Sequence, residues 1–156
     1  ARLCPFAAGW PARGGAGRVV GLPGAAAPLR AEGAPRVAAA HGIPPELTGA
    51  TATPQALQRR GRRARLIHVA SHALFREDDP MASSLVLGDG PLATDDVYRL
   101  RLQADVVVLS GCGTGRASLT EGDDPLGLVR GFLRAGARNL VTGLWRVTDH
   151  SALMLM

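Results

Sequence analysis

The sequence predicts an α/β domain with a mostly parallel central sheet and helices on both faces, and three observations predict it. The run Val106-Val-Val-Leu109 inside ADVVVLSGCGTG is apolar without polar alternation, which marks a strand covered on both faces, as in parallel sheets. The runs LIHVAS (66–71) and NLVTGLW (139–145) have the same character, and helical stretches separate the three. That alternation is the mark of βαβ winding. The central run also stops in a turn of small residues, Gly111-Cys112-Gly113-Thr114-Gly115, at the carboxyl end where ligands and chemistry gather in such sheets.

Taken in order, residues 1–17 are rich in Gly, Ala, Pro and Arg and read as a loop or poorly ordered lead-in. RVVGL (18–22) is a short strand ended by Pro23-Gly24, and 28–40 carries Leu29, Val37 and several alanines at helical spacing before Gly42 and Pro44-Pro45. A second short strand is expected over 46–50. Thr53 then fits an N-cap with Pro54 at the first helical position. Arg59, Arg60, Arg62, Arg63 and Arg65 follow, read as a solvated helix end favoured by the negative pole of the macrodipole.

The strand 66–71 runs into His72. REDDPMA (76–82) is a charged loop long enough to overhang a site. Residues 84–87 and 90–92 form a hairpin across Gly88-Asp89-Gly90, and Thr94-Asp95-Asp96 caps a short helix reaching Leu100. Beyond the central strand, 116–124 is a polar loop. A helix over 125–135 places Leu126, Val129, Phe132 and Leu133 on one face, with Gly136 as its C-terminal cap. The buried strand 139–145 and the start of a last helix near Asp149 follow.

The chain has 156 residues, enough for one domain with a real core. It begins at Ala1 and stops at Met156 inside an apolar run, so a piece of a longer polypeptide, truncated at its C-terminus, is expected. The net charge is +5, and all 18 basic residues are arginine, as the codon bias of a GC-rich genome would produce. These arginines are spread along the chain and aromatics make up only 4%, which argues against direct nucleic-acid binding. Cys4 and Cys112 form neither a metal-ligand spacing nor a disulfide framework, and no signal-peptide pattern appears. No metal or other cofactor is expected, and a reducing cytoplasm fits. No apolar run approaches the roughly 20 residues that cross a bilayer, so no membrane association is expected.

Two readings compete for the glycine-rich turn. GCGTG after a strand resembles the cofactor loop of S-adenosylmethionine-dependent methyltransferases. Leu109, however, stands where that family has an acid, Trp145 stands where the next strand should end in one, and little chain remains after Gly115 for the rest of that sheet. A thiol nucleophile instead requires a base within reach, supplied from a neighbouring strand end. His72 meets that demand, since it and Cys112 both follow expected parallel strands. His68, four residues earlier and on the same side of an ideal strand, reads as structural. A nearby imidazole favours the thiolate, small neighbours admit a substrate carbonyl, and backbone N–H groups are available to an oxyanion.

At these residues the chain resembles a known family. HVASHALF, VVVLSGCGTG, RAGARNLV and TGLWRVTDHSA occur in the order and spacing of CHAT domains, caspase-related modules often attached to TPR repeats, and they resemble the catalytic end of separases. LTGATATPQAL resembles the segment that precedes the histidine strand in CHAT domains. The resemblance covers 18–156 and implies a caspase-like fold and a cysteine peptidase acting on protein or peptide, regulated by attached repeats or a partner. It implies His72 as catalytic histidine and Cys112 as nucleophile. The N–H groups of Ala73, Cys112 and Gly113 become the implied oxyanion hole; the family generally has glycine where this chain has Ala73, which keeps the N–H but loses easy access to positive φ. The LWRVTD motif implies Asp149 as selector for a basic P1 residue, with helix N-cap as its other reading, and Asp123 and Asp124 are further acids on the loop after Cys112. A CHAT-like interaction scaffold without catalysis is the alternative function.

Overall fold

The computed structural model describes residues 19–20, 45–47, 49–76, 78–111, 118–119 and 125–143. Its centre is a three-stranded parallel sheet in which β7 (Val106–Leu109) lies between β3 (Leu66–Val69) and β10 (Asn139–Thr142). The registers coincide: Ile67 and Leu140 both pair with Val107, and Val69 and Thr142 both pair with Leu109. A short parallel pair, β1 (Val19–Val20) and β2 (Pro45–Leu47), lies beside β3. The expected strand over 46–50 therefore sits earlier, and Gly49–Thr51 is a 3-10 turn.

Helix α1 (Pro54–Gly61) starts as its sequence demands. Thr53 is extended, its hydroxyl accepts from the Ala56 amide at 3.1 Å, and Pro54 occupies the first turn, where an N–H would have no partner. Ala56 and Leu57 enter the core, and Arg59, Arg60, Arg62 and Arg63 stay exposed.

The crossover from β3 to β7 contains an antiparallel sheet of β4 (Ala73–Leu74), β5 (Ser84–Leu87) and β6 (Gly90–Ala93), with the expected hairpin between the last two. Helix α2 (Thr94–Arg99) follows. Here the expected cap is displaced: Ala93 is the N-cap, and the buried Thr94 hydroxyl donates to the carbonyls of Ser83 (2.8 Å) and Pro80 (3.3 Å). Thr94 thus ties the preceding loop to the helix, because its side chain faces inward rather than back along the helix axis.

Two short strands, β8 (Ser118–Leu119) and β9 (Pro125–Leu126), pair before α3 (Leu128–Ala135). The helix starts later than the sequence pattern suggests, after Gly127 at φ 105°. Its buried face is consequently Leu128, Gly131, Phe132 and Ala135, the i, i+3, i+4, i+7 set, while Leu133 is 45% exposed. Strand β10 is half-exposed rather than buried, with Val141 44% exposed, because among the described residues it has a neighbour on one side only. The helix expected over 28–40, the end of the strand expected to reach Trp145, and the last helix lie outside the described residues.

Ile67, Val69, Val107 and Leu109 form one face of the sheet and share a single core with Leu57, Leu85, Leu92, Val97, Leu128 and Phe132. On the opposite face His68 and Val106 are also buried. The amino-terminal edge is held by Asp105. Its carboxylate receives Arg65 Nε and Nη2 on one oxygen and Arg138 Nη1 at 3.4 Å on the other. Its amide donates to the Arg65 carbonyl at 2.7 Å, and its own carbonyl accepts the Asn139 amide and side chain at 3.1 and 2.9 Å.

Four substitutions, followed by urea unfolding, test this description. Gly136 caps α3 in the left-handed region at φ 112°, and an added Cβ would collide with the Leu102 carbonyl. Gly136→Ala is expected to cost about 1–3 kcal/mol, whereas Gly49→Ala, at φ 52° with open space around it, costs about 1 kcal/mol. Asp105→Asn, in urea unfolding, is expected to cost about 1–2 kcal/mol, since Arg65 is partly solvated. Arg138→Ala, at an end 78% exposed, should cost less than about 0.5 kcal/mol.

Candidate functional site

Because β3 and β7 are parallel, adjacent and in register, their carboxyl ends emerge side by side. The Ser110 amide donates to the Val69 carbonyl at 2.8 Å, extending the pairing past the last strand residues. On one side the chain continues through buried Ala70 and Ser71 to a half-buried His72; on the other it continues through half-buried Ser110 to buried Gly111. His72 is the third residue after Val69, as Cys112 is the third after Leu109.

The backbone at His72 is tightly held. Its carbonyl accepts the Val86 amide at 2.9 Å and the Ser71 hydroxyl at 3.0 Å. The first bond makes Ala73–Leu85 the non-hydrogen-bonded pair of the β4–β5 ladder. The Ala73 N–H therefore points away from β5, and the Ala73 methyl packs against the core. Ala73 is thus held extended by strand pairing, and its N–H direction does not depend on glycine-like freedom. Leu74 is 58% exposed, leaving an apolar surface beside the histidine.

The loop beyond β4 is organised by its own charges. Arg76 pairs with Asp78 at 2.7 Å, its amide donates to the Ser83 hydroxyl at 3.0 Å, and Asp79 caps the 3-10 turn Pro80–Ala82 by accepting from the Met81 and Ala82 amides. The hydrogen bond and charge of Arg76 hold the Asp78 carboxyl below its ordinary range. Whatever the pair contributes is present at neutral pH and is lost as the pH falls through that lowered value; in full solvent the contribution is small.

Of the residues expected to act, the structure describes His72 and Ala73 and brings them to one strand exit. Cys112, Gly113, Asp123, Asp124 and Asp149 lie outside the described residues. Sequence reasoning missed Ser71 and Val86. A serine directly before the histidine is a signal for side-chain to backbone bonding, but Val86 reaches His72 only through the β4–β5 register. Gln58, Arg59 and Arg60 in the last turns of α1, with Arg62 and Arg63 just after it, line a cavity of about 480 Å³. It precedes β3 and so lies toward the amino-terminal edge, opposite the His72 end. Among the described residues no group of three or more His, Cys, Asp or Glu side chains could hold a metal ion, and no helix is long and apolar enough to cross a membrane.

A mixed α/β fold with adjacent parallel strands, one ending before a histidine and the other before a cysteine, defines the caspase-like class. The family model of the CHAT domain matches residues 18–156, and the chain belongs to that family. The comparison with curated proteins found no match. The GCGTG segment lies within the residues that the CHAT model matches.

Proposed function

We propose that this chain is a cysteine endopeptidase domain in which His72 and Cys112 form the catalytic dyad. The observation that carries the reading is the direct parallel pairing of β3 with β7, whose equal registers precede the histidine and the cysteine by the same number of residues. The held His72–Ala73 peptide, with its N–H turned away from β5, supports an oxyanion site that Cys112 and Gly113 complete. The domain runs from residue 18, after a lead-in, within a larger bacterial cytoplasmic protein whose attached repeats or partner regulate access to a protein substrate.

In this mechanism the Cys112 thiolate attacks the substrate carbonyl carbon. A C–S bond forms, and the carbonyl π pair moves onto oxygen, where the backbone N–H groups hold it. Collapse breaks the C–N bond while the His72 imidazolium gives its proton to the departing amine. Neutral His72 then takes a proton from water as that water attacks the thioester, releasing the acid and restoring thiolate and imidazolium. Asp149, with Asp123 and Asp124 on the segment after Cys112 as further acids, supplies negative charge for a basic P1 side chain.

A thiol-directed peptide probe is expected to label the protein, and Cys112→Ala to abolish labelling without unfolding it. His72→Ala should lower kcat/KM by about 10²- to 10⁴-fold. Calorimetry should detect no saturable binding of S-adenosylmethionine. Absence of both labelling and turnover would favour the scaffold reading instead.

Specificity is tested separately, by profiling cleavage of a peptide library. Arginine or lysine should be preferred at P1, and Asp149→Ala should lose about 2–5 kcal/mol of transition-state stabilisation for those substrates. An unchanged basic preference in that variant would remove Asp149 from the role.

A further inference from the structure

We propose that Ser71 is a positioning residue for the oxyanion site, an inference that rests on the peptidase reading above. Ser71 is 1% exposed, at the exit of the histidine strand. Its hydroxyl donates to the carbonyl of the next residue, His72, at 3.0 Å, and the Val86 amide donates to the same oxygen at 2.9 Å.

The consequence follows from peptide geometry. The His72–Ala73 bond is trans, as are all peptide bonds among the described residues, so its C=O and N–H point in opposite directions within one plane. Two donors holding the carbonyl toward β5 and Ser71 therefore aim the Ala73 N–H the other way, away from β5. They also polarise the peptide, because a carbonyl that accepts hydrogen bonds makes its own N–H a stronger donor. Strand pairing sets the direction of the group, and the buried hydroxyl adds both restraint and polarisation. Its hydrogen bond places Ser71 on the peptide that would bind the developing negative charge, and it acts through that peptide.

A comparison of two reactions at one sulfur isolates this role. Acylation of Cys112 by p-nitrophenyl acetate passes through a tetrahedral oxyanion: the C–S bond forms, the carbonyl pair moves to oxygen, and collapse expels p-nitrophenolate. Alkylation by iodoacetamide is a direct displacement of iodide with no oxyanion. Both rates are measured on the full chain, with Cys112→Ala as the blank. Ser71→Ala should slow acylation about tenfold, leave alkylation and its pH profile within about twofold, and move the His72 carbonyl ¹³C resonance. Ser71→Thr should restore acylation.

Equal slowing of both reactions would reduce Ser71 to a structural role and overturn the proposal, as would no slowing of either. Those results leave the dyad standing. Wild-type Cys112 that acylates no faster than a free cysteine would instead overturn the peptidase reading, and the proposal with it.

Discussion

Asp105 joins all three strands of the central sheet at their amino-terminal edge. Its backbone binds Arg65, just before β3, and Asn139, the first residue of β10, and its carboxylate gathers Arg65 from one side and Arg138 from the other. The ionic part is of modest worth where its partners meet solvent. Its directional content is larger, because a slip of one residue would turn Val107 and Leu109 out of the core and bring their alternates in. With that edge in step, the opposite edge is in step too, and the histidine strand and the cysteine strand finish level. The chemistry proposed for this domain depends on that level finish.

A second layer of restraint acts where the sheet ends. The β4–β5 pairing captures the His72 carbonyl through Val86, and Ser71 closes on the same oxygen. The hairpin is in turn anchored: the Gly88 amide reaches the Ala52 carbonyl at 2.9 Å, and Thr94 binds the loop from Pro80 to Ser83. The half-exposed histidine thus projects from a backbone held on several sides. A base must keep its geometry while its side chain remains accessible.

Much of this was legible in the sequence where short-range chemistry dominates. Thr53-Pro54 opens α1, Gly136 ends α3, the Gly88-Asp89 turn makes its hairpin, and the unbroken valines of β7 mark the central strand. Differences arise where a single backbone conformation or a distant partner decides. The face of α3 shifted because Gly127 delays the helix start, and Thr94 left its capping role for carbonyls that the folded loop delivers. The Asp105 cluster links residues about forty apart and carries no local signal. At the site, His72 could be read from its place after an apolar strand, whereas the bonds to its carbonyl depend on a pairing register that only the folded chain reveals.

The proposed dyad requires the shared register of β3 and β7 to carry through to positions 72 and 112. A disulfide test addresses it directly: His72→Cys, with Cys4→Ser to remove the other thiol, is oxidised under mild conditions and its free thiols are titrated. If the strands stay level for three residues beyond their last pair, the two Cα atoms lie within the roughly 4.4–6.8 Å that a disulfide spans. The account predicts rapid intramolecular closure, with both thiols lost and the fold retained. A folded protein that keeps both thiols free, or that crosslinks only between molecules, would contradict it.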